Sequence, residues 1–419
     1  MAQAGTRTEA LLQLVRNGRE LSRWQRVQLV VLLSLPAILA ELSSICMEYI
    51  DAAMVGHLGS TEAAGIGLVM SSTWVFWGLA SVSAAGFTVQ VAHRIGAKDY
   101  AGARSVLRQS IVVVFLVGSV LTTLGACISG ALPHWLGGDA SICGYASSYF
   151  LIIALSVPAL QLYSLSGGML RRSGNLRLPS TLSIIMCVMD VVFNALFIFP
   201  TREYEVWGMS LTVPGAGLGV TGAALGTALA LLLTALLMAY FLFFRAPELK
   251  LTQDSGSYGP RRDCVRSALR ICVPMGFERM GMSFAYVACT YIVAPLGVIP
   301  VATHSLAITA ESLCYMPGYG IGEAATTLIG QCTGAGRRLL TRSFARMCVA
   351  LGMGVMAVSG FFMYLAAPWM MAFLTDNLDI IRLGSEVLRI EAVAEPLYAA
   401  SIVGCGVFVG AGDTFKPCL

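Results

Sequence analysis

Residues 27–59 read VQLVVLLSLPAILAELSSICMEYIDAAMVGHLG. This stretch is apolar and long enough to cross a bilayer as one helix, yet it carries three carboxylates, Glu41, Glu48 and Asp51. At about 100° per residue the three fall within about 80° of one another, on a single helical stripe. The stripe runs about 15 Å along the axis at about 1.5 Å per residue. One charge in hydrocarbon costs about 3 kcal/mol even on the most lenient insertion scale, so three on one face must look into a bundle or a wet cavity. A proton or cation pathway is the function such a stripe suggests.

Nine further apolar runs follow the first. They cover residues 63–92, 106–131, 144–170, 178–200, 216–244, 267–294, 301–329, 343–368 and 387–410. Only 12% of residues are charged and 57% are hydrophobic, whereas a soluble domain carries about 25% charged residues. The chain therefore reads as an all-α polytopic membrane protein, which excludes soluble and nucleic-acid-binding classes. Residues 1–26 are polar and Arg-rich with no cleavage signature, so the first run is a retained span. The basic amphipathic part of that segment is expected to lie on the membrane surface. Twelve cysteines are scattered without a C-x-x-C motif and read as small buried hydrophobes. Of these, Cys127 and Cys143 flank one outer loop and can pair in an oxidising compartment.

Basic residues set the orientation. With the N-terminus inside, the cytoplasmic segments hold 23 of the 27 Lys and Arg. Arg202, Arg382 and Arg389 fall outside, and Arg279 falls within a span. The expected organisation is a cytoplasmic basic segment (1–26), an N-lobe of spans 1–6 (27–244), a cytoplasmic linker (245–266) and a C-lobe of spans 7–10 (267–419).

The two lobes are copies of one another. At an offset of 238 residues Pro36 meets Pro274, Gly59 meets Gly297, and Gly96 meets Gly334. Arg104 and Arg108 meet Arg342 and Arg346, Pro158 meets Pro396, Gly168 meets Gly406, and Gly174 meets Gly412. Six spans separate the copies, an even number, so both share one topology about an axis along the membrane normal, as in many secondary transporters. The second copy stops before the counterparts of spans 5 and 6. The sequence thus predicts two pseudo-symmetric six-helix lobes in a twelve-span parent, with about ten spans present.

Several separated motifs carry a family resemblance. Asp51 to Gly59 resembles the first-helix D-x-x-M-x-G pattern of the MATE (multidrug and toxic compound extrusion) transporters. QVAHRIGAKDY at 90–100 is similar to their loop after helix 2, PGYGIGEAATTLIGQCTGA at 317–335 to its C-lobe counterpart, and GAGDTFKP at 410–417 to the loop after helix 10. The resemblance implies two six-helix lobes around a central cavity, alternately open to either side. It further implies drug export in exchange for H⁺ or Na⁺, by a monomer in a bacterial inner membrane, with no other cofactor. By position, Asp51 resembles the N-lobe coupling acid. The family often has Asn then Asp or Asn four residues later in helix 5; here the order is Asp190 then Asn194. Sodium-coupled members carry acids in helices 7 and 10, and Glu278 and Glu395 lie about a turn from those positions.

Physical reasoning extends the candidates. Asn194 shares a helix face with Asp190 at i+4 and can donate to a carboxylate. Glu278 lies one position from the repeat partner of Glu41, and Glu311 is central in span 8. Glu323 and Glu391 lie nearer the membrane surfaces and read as structural or rim residues. Tyr49, Tyr315 and Tyr398, with Trp74, Phe76 and Phe87, are aromatic candidates for the wall of an acidic cavity that attracts amphiphilic cations. His57, His93, His134 and His304 show no metal spacing. With no G-x-x-x-x-G-K-[ST], ATP is not the driving force. Neither H-E-x-x-H nor G-x-S-x-G appears, so the chain does not read as an enzyme. The alternative function is a flippase for a lipid-linked saccharide, which wants a cationic cavity, whereas the intramembrane charges here read as overwhelmingly acidic.

Overall fold

The computed structural model of the chain describes residues 2–56, 58–206, 209–253 and 255–418; His57 lies outside them. A short helix α1 (Ala2–Arg16) precedes α2 (Arg23–Gly56), α3 (Ser60–Gly96), α4 (Tyr100–Ile128), the single turn α5 (Leu132–Trp135), α6 (Ala140–Arg172) and α7 (Arg177–Ile198). Strands β1 (Pro200–Val206) and β2 (Met209–Ala216) follow, then α8 (Gly219–Tyr240), continued by a π-helical turn, Phe241–Arg245. The second lobe comprises α9 (Arg262–Val293), α10 (Val298–Gly334), α11 (Arg338–Leu374), α12 (Leu378–Ala411) and the turn α13 (Phe415–Cys418). Each of the ten runs expected to span forms a helix over most of its length, and among the described residues eight helices are long and apolar enough to cross a membrane. The shortest has 22 residues, about 33 Å at about 1.5 Å per residue, enough for a hydrocarbon core. The chain is thus an all-α multi-pass membrane protein.

The repeat is visible in the geometry. Prolines Pro36 and Pro274 interrupt α2 and α9, and Pro158 and Pro396 interrupt α6 and α12. Both copies of the turn after α6 and α12 use a glycine of positive φ, Gly174 (101°) and Gly412 (81°), because a left-handed residue ends each helix there. Between the lobes, α3 crosses α10 where no side chain fits. A Cβ on Gly96 would lie 2.1 Å from the Gln331 carbonyl oxygen, and one on Gly334 would lie 1.9 Å from that of His93. His93 and Gln331 are themselves 238 residues apart. The crossing is therefore made twice, by symmetry-related glycines. Nearby, His93 Nε2 lies 2.8 Å from the Gly410 carbonyl oxygen, adding a second tie between lobes.

Polar side chains seal the same end of the bundle. Arg16 donates to Gln331 Oε1 (3.1 Å), Glu248 Oε1 (2.7 Å) and the Ser173 carbonyl (2.7 Å), joining α1, α10, the linker and the end of α6. Gln331 Nε2 returns a bond to the Arg172 carbonyl (2.8 Å). Asp99 caps α4 by accepting from the Gly102 amide (2.9 Å), and that bond, aided by Arg94 at 2.6 Å, holds its carboxyl below the usual range.

Several expectations need correction. The apolar face of α1 does not lie on lipid: Leu11, Leu12 and Val15 are buried in one cluster with Leu29 and Leu33 of α2 and Leu328 of α10. The basic end of the molecule offered that helix a protein groove, where its leucines leave water more completely than on a bilayer surface. Cys127 and Cys143 are both free; Cys143 is buried and its thiol donates to the Gly138 carbonyl at 3.3 Å. Residues 200–206 and 209–216, between the helices of spans 5 and 6, pair as antiparallel strands. The linker packs on the N-lobe: Ala246 and Leu249 are buried against α3, α4 and α6, and Arg104 donates to Gln253 at 3.1 Å.

The α3–α10 crossing generates a prediction. Gly334→Val places atoms inside the His93 carbonyl and should cost about 1–3 kcal/mol, the range for overpacking a close contact. A lowered melting temperature of the purified protein in detergent is expected, and a Gly354→Val control, whose glycine faces open space, should melt like the unmodified chain.

Candidate transport sites between and within the lobes

Three helices converge on one amide in the N-lobe. Asp51 comes from α2, and Asp190 and Asn194 come from consecutive turns of α7. Asn194 Nδ2 donates to Asp51 Oδ1 at 2.9 Å and to Asp190 Oδ2 at 3.1 Å. Only the NH₂ end of an amide can serve two carboxylate acceptors, so the orientation of Asn194 follows from its partners. Asp190 and Asn194 are each 1% exposed. The close approach depends on α8: a Cβ on Gly226 would lie 2.1 Å from Asn194 Oδ1. Thr227 of α8 hydrogen-bonds Asp190, and the Tyr149 hydroxyl of α6 feels the field of both acids. Asp190 Oδ1 and Asn194 Oδ1 have no partner among the described residues. Two carboxylates on one neutral donor, with no cation against them among the described residues, make a site where one proton or one small cation has large electrostatic leverage.

The C-lobe holds a cavity of about 400 Å³. Glu311 and Tyr315 of α10, Glu391, Glu395 and Tyr398 of α12, and Tyr286 of α9 line it. The ring centroids of Tyr315 and Tyr398 are 5.7 Å apart, edge to face. Glu395 is 1% exposed, and neither of its oxygens meets a nitrogen or hydroxyl donor among the described residues. Among the described residues no three of His, Cys, Asp and Glu converge closely enough to chelate a metal ion. The cavity is an acidic, aromatic pocket of a kind that attracts a monovalent or organic cation.

The remaining candidates separate. Glu41 and Glu48 line the interlobe face of α2, where each acts electrostatically on a neighbouring acid of the stripe. Glu278 does not join Glu311 and Glu395; it sits against Cys405, whose thiol donates to it at 3.4 Å. Glu391, expected at a rim, lines the C-lobe cavity one turn from Glu395. Its hydrophobic surroundings in the sequence concealed that it shares a helix face with Glu395 at i+4. Tyr49 is no open wall: its hydroxyl donates to the Thr309 carbonyl and fastens α2 to α10. Phe76 stacks edge-on against Phe150, Phe87 is core, and Trp74 is exposed.

Three arginines meet acids of other helices that residue spacing did not pair with them. Arg171 and Arg172, counted with a cytoplasmic loop, project from the last turn of α6 and pair with Glu323 of α10 at 3.9 and 3.2 Å. Arg172 further donates to the Glu323 carbonyl and Thr327 Oγ1, both at 3.0 Å. Arg279 of α9 acts electrostatically on Glu41 and Glu323 and so faces the interlobe space. The intramembrane charge is therefore less one-sided than the sequence suggested. Two of these guanidinium groups are already engaged by Glu323, which leaves little of the cationic surface a lipid-linked saccharide requires. The signal was available in the 238-residue register, which pairs Glu41 with Arg279 and not with Glu278.

The sequence profile of the MatE family matches residues 36–196 and 274–418. A protein named "Probable multidrug resistance protein NorM" from Thermotoga maritima is 24% identical over 388 residues, covering 93% of this chain and 81% of that one. One of the same name from Idiomarina loihiensis is 24% identical over 386 residues, covering 91% and 80%. A structure described as "Crystal structure of MATE in the straight conformation" superposes with a TM-score of 0.86 at 22% identity, covering 97% of this chain and 86% of that one.

The shared amide carries its own prediction. Asn194→Leu keeps the side-chain volume but removes the amide donor shared by half-buried Asp51 and buried Asp190, at a cost of about 1–3 kcal/mol. Thermal unfolding of the purified variant at neutral pH should show that loss, and acidification should recover part of it as the carboxylates are neutralised.

Proposed function

The chain belongs to the MatE family, and on that premise we propose that it is a multidrug efflux transporter that exchanges amphiphilic organic compounds for protons. The observation that carries this reading is the Asn194 amide held between Asp51 and Asp190. Relatives named multidrug resistance proteins support the efflux part of it. The excess of Lys and Arg on the α1 end supports an N-terminus on the cytoplasmic side of a bacterial inner membrane.

In this mechanism a proton arriving from the far side neutralises Asp51. The Asn194 amide, no longer drawn by two charges, stays with Asp190, and α2 loses the hydrogen bond that Asp51 accepts from α7. Helix α2 is weakest at Pro36, where one backbone hydrogen bond is missing. Two residues on, its backbone packs directly on α10: a Cβ on Gly320 would lie 2.6 Å from the Ile38 nitrogen. A bend at Pro36 therefore changes the lobe contact, lowers affinity for cargo and lets it leave outward. The C-lobe cavity of Glu311, Glu391 and Glu395 with its tyrosines offers a second place for positive charge, whether cargo or coupling ion. The saccharide flippase is not favoured, because Arg172 is ion-paired with Glu323 and Arg171 faces both Glu323 and Glu41.

Efflux from proteoliposomes tests the reading. Asp51→Asn should reduce pH-gradient-driven export of a lipophilic cation at least tenfold, the factor for losing about 1.4 kcal/mol of coupling. Export at the unmodified rate by a well-folded Asp51→Asn protein contradicts the mechanism. Export driven by a sodium gradient at equal pH replaces the proton with sodium.

A further inference from the structure

Each lobe is preceded by a segment that lies over the other lobe. At the 238-residue offset α1 (residues 2–16) answers to residues 240–254, the end of α8 and the start of the linker. Helix α1 precedes α2, yet its Leu11, Leu12 and Val15 share one buried cluster with Leu328 of α10 and Phe344 of α11 as well as with α2. The linker precedes α9, and its Ala246 and Leu249 are buried with α3 and α4, the counterparts of α10 and α11. At that end the lobes are tied by matching hydrogen bonds. Gln331 Nε2 donates to the Arg172 carbonyl, and His93 Nε2 lies against the Gly410 carbonyl, both at 2.8 Å. The two bonds are 238 residues apart at each of their ends.

The two segments meet in a single ion pair. Arg16 of α1 lies 2.7 Å from Glu248 of the linker, with side chains 4% and 16% exposed. The same guanidinium donates to Gln331 Oε1 of the C-lobe and to the Ser173 carbonyl of the N-lobe. Glu248 is held in turn through its backbone, whose carbonyl accepts from Arg104 of α4 at 3.2 Å. One side chain thus joins both lobes and both segments. An ion pair this dry is kept by the hydrogen bonds around it, and removing one partner leaves an uncompensated charge. Because these bonds end on different lobes, the lobes cannot part at this end while all of them hold.

We propose that α1 and the linker are paired straps across the cytoplasmic mouth, buckled by Arg16 and Glu248, and that the buckle opens whenever the lobes part on that side. The efflux reading above supplies that two-sided opening, and this inference rests on it. An open buckle frees α1 from α10 and α11 while residues 17–22 keep it tethered to α2. Redocking is then intramolecular, at the high effective concentration that a short tether gives, so the mouth recloses without a new partner. Cys332, next to Gln331 on α10, is fully buried in the cluster that α1 shares, so its thiol reports when the strap lifts.

Labelling of the full chain in proteoliposomes with N-ethylmaleimide, read at each cysteine by peptide mass spectrometry, tests the proposal. In the unmodified protein Cys332 is expected to react slowly at rest and severalfold faster while a pH gradient drives export of a lipophilic cation. Arg16→Gln and Glu248→Gln should each raise the resting rate about tenfold, as for a local opening that no longer breaks a buried ion pair. The double variant should react no faster than either single one, because both remove the same contact. Cys143, buried at the outer end of α6, should stay slow throughout. Cys332 protected equally at rest and during export overturns the proposal, as does a Glu248→Gln protein labelled like the unmodified chain. Additive effects in the double variant mean that the two residues act separately, which overturns it too. Cys143 rising in step with Cys332 has the same consequence, since the variants then loosen the whole fold. If the unmodified chain exports no cation under the gradient, the efflux reading fails, and the resting rates of the variants still decide whether the buckle holds the strap.

Discussion

One neutral amide holds two carboxylates in the N-lobe, and much of the surrounding structure serves that arrangement. Asn194 reaches both Asp51 and Asp190 only because α2 and α7 run side by side and because Gly226 leaves room on α8. Like charges in a dry interior repel strongly, and an amide offsets only part of that repulsion. With both acids ionised the site carries two negative charges and no positive one, and a single proton halves that charge. The arrival of that proton on Asp51 weakens the tie between two helices that otherwise pack along their length.

The lobes divide the work differently from what their symmetry suggests. Repeat-related glycines make the α3–α10 crossing twice, so the scaffold is symmetric where it must close. The chemistry is not. Carboxylates cluster around Asn194 in the N-lobe, whereas in the C-lobe they gather on α10 and α12 with tyrosines, and at the position of Glu41 the C-lobe has Arg279. A pseudo-twofold frame with unlike charges has a polarity across its central space that a homopolar cavity lacks.

Much of this was legible from residue spacing. Apolar runs located ten helices, and coincident prolines and glycines paired the lobes, because helix interruptions and left-handed turns demand particular residues at particular places. The i+4 spacing of Asp190 and Asn194 placed both on one face, and the structure adds Asp51 to them. What spacing could not reveal was which side chains meet across helices. Arg171 and Arg172 lie at a span end, where basic residues ordinarily meet water, and only the approach of α10 with Glu323 draws them inward. Tyr49 is aromatic on an acidic helix, yet α10 lies close enough to take its hydroxyl. The leucines of α1 predicted an apolar surface for that helix but not which surface.

Proton release on cargo binding tests the central claim most directly. In weakly buffered detergent solution near neutral pH, a pH-sensitive dye reads protons freed when a lipophilic cation is added to the purified protein. The account predicts release from the unmodified chain, because cargo and proton compete through the Asp51–Asn194–Asp190 site, and none from Asp51→Asn. Tight cargo binding with no proton released by the unmodified chain would contradict it.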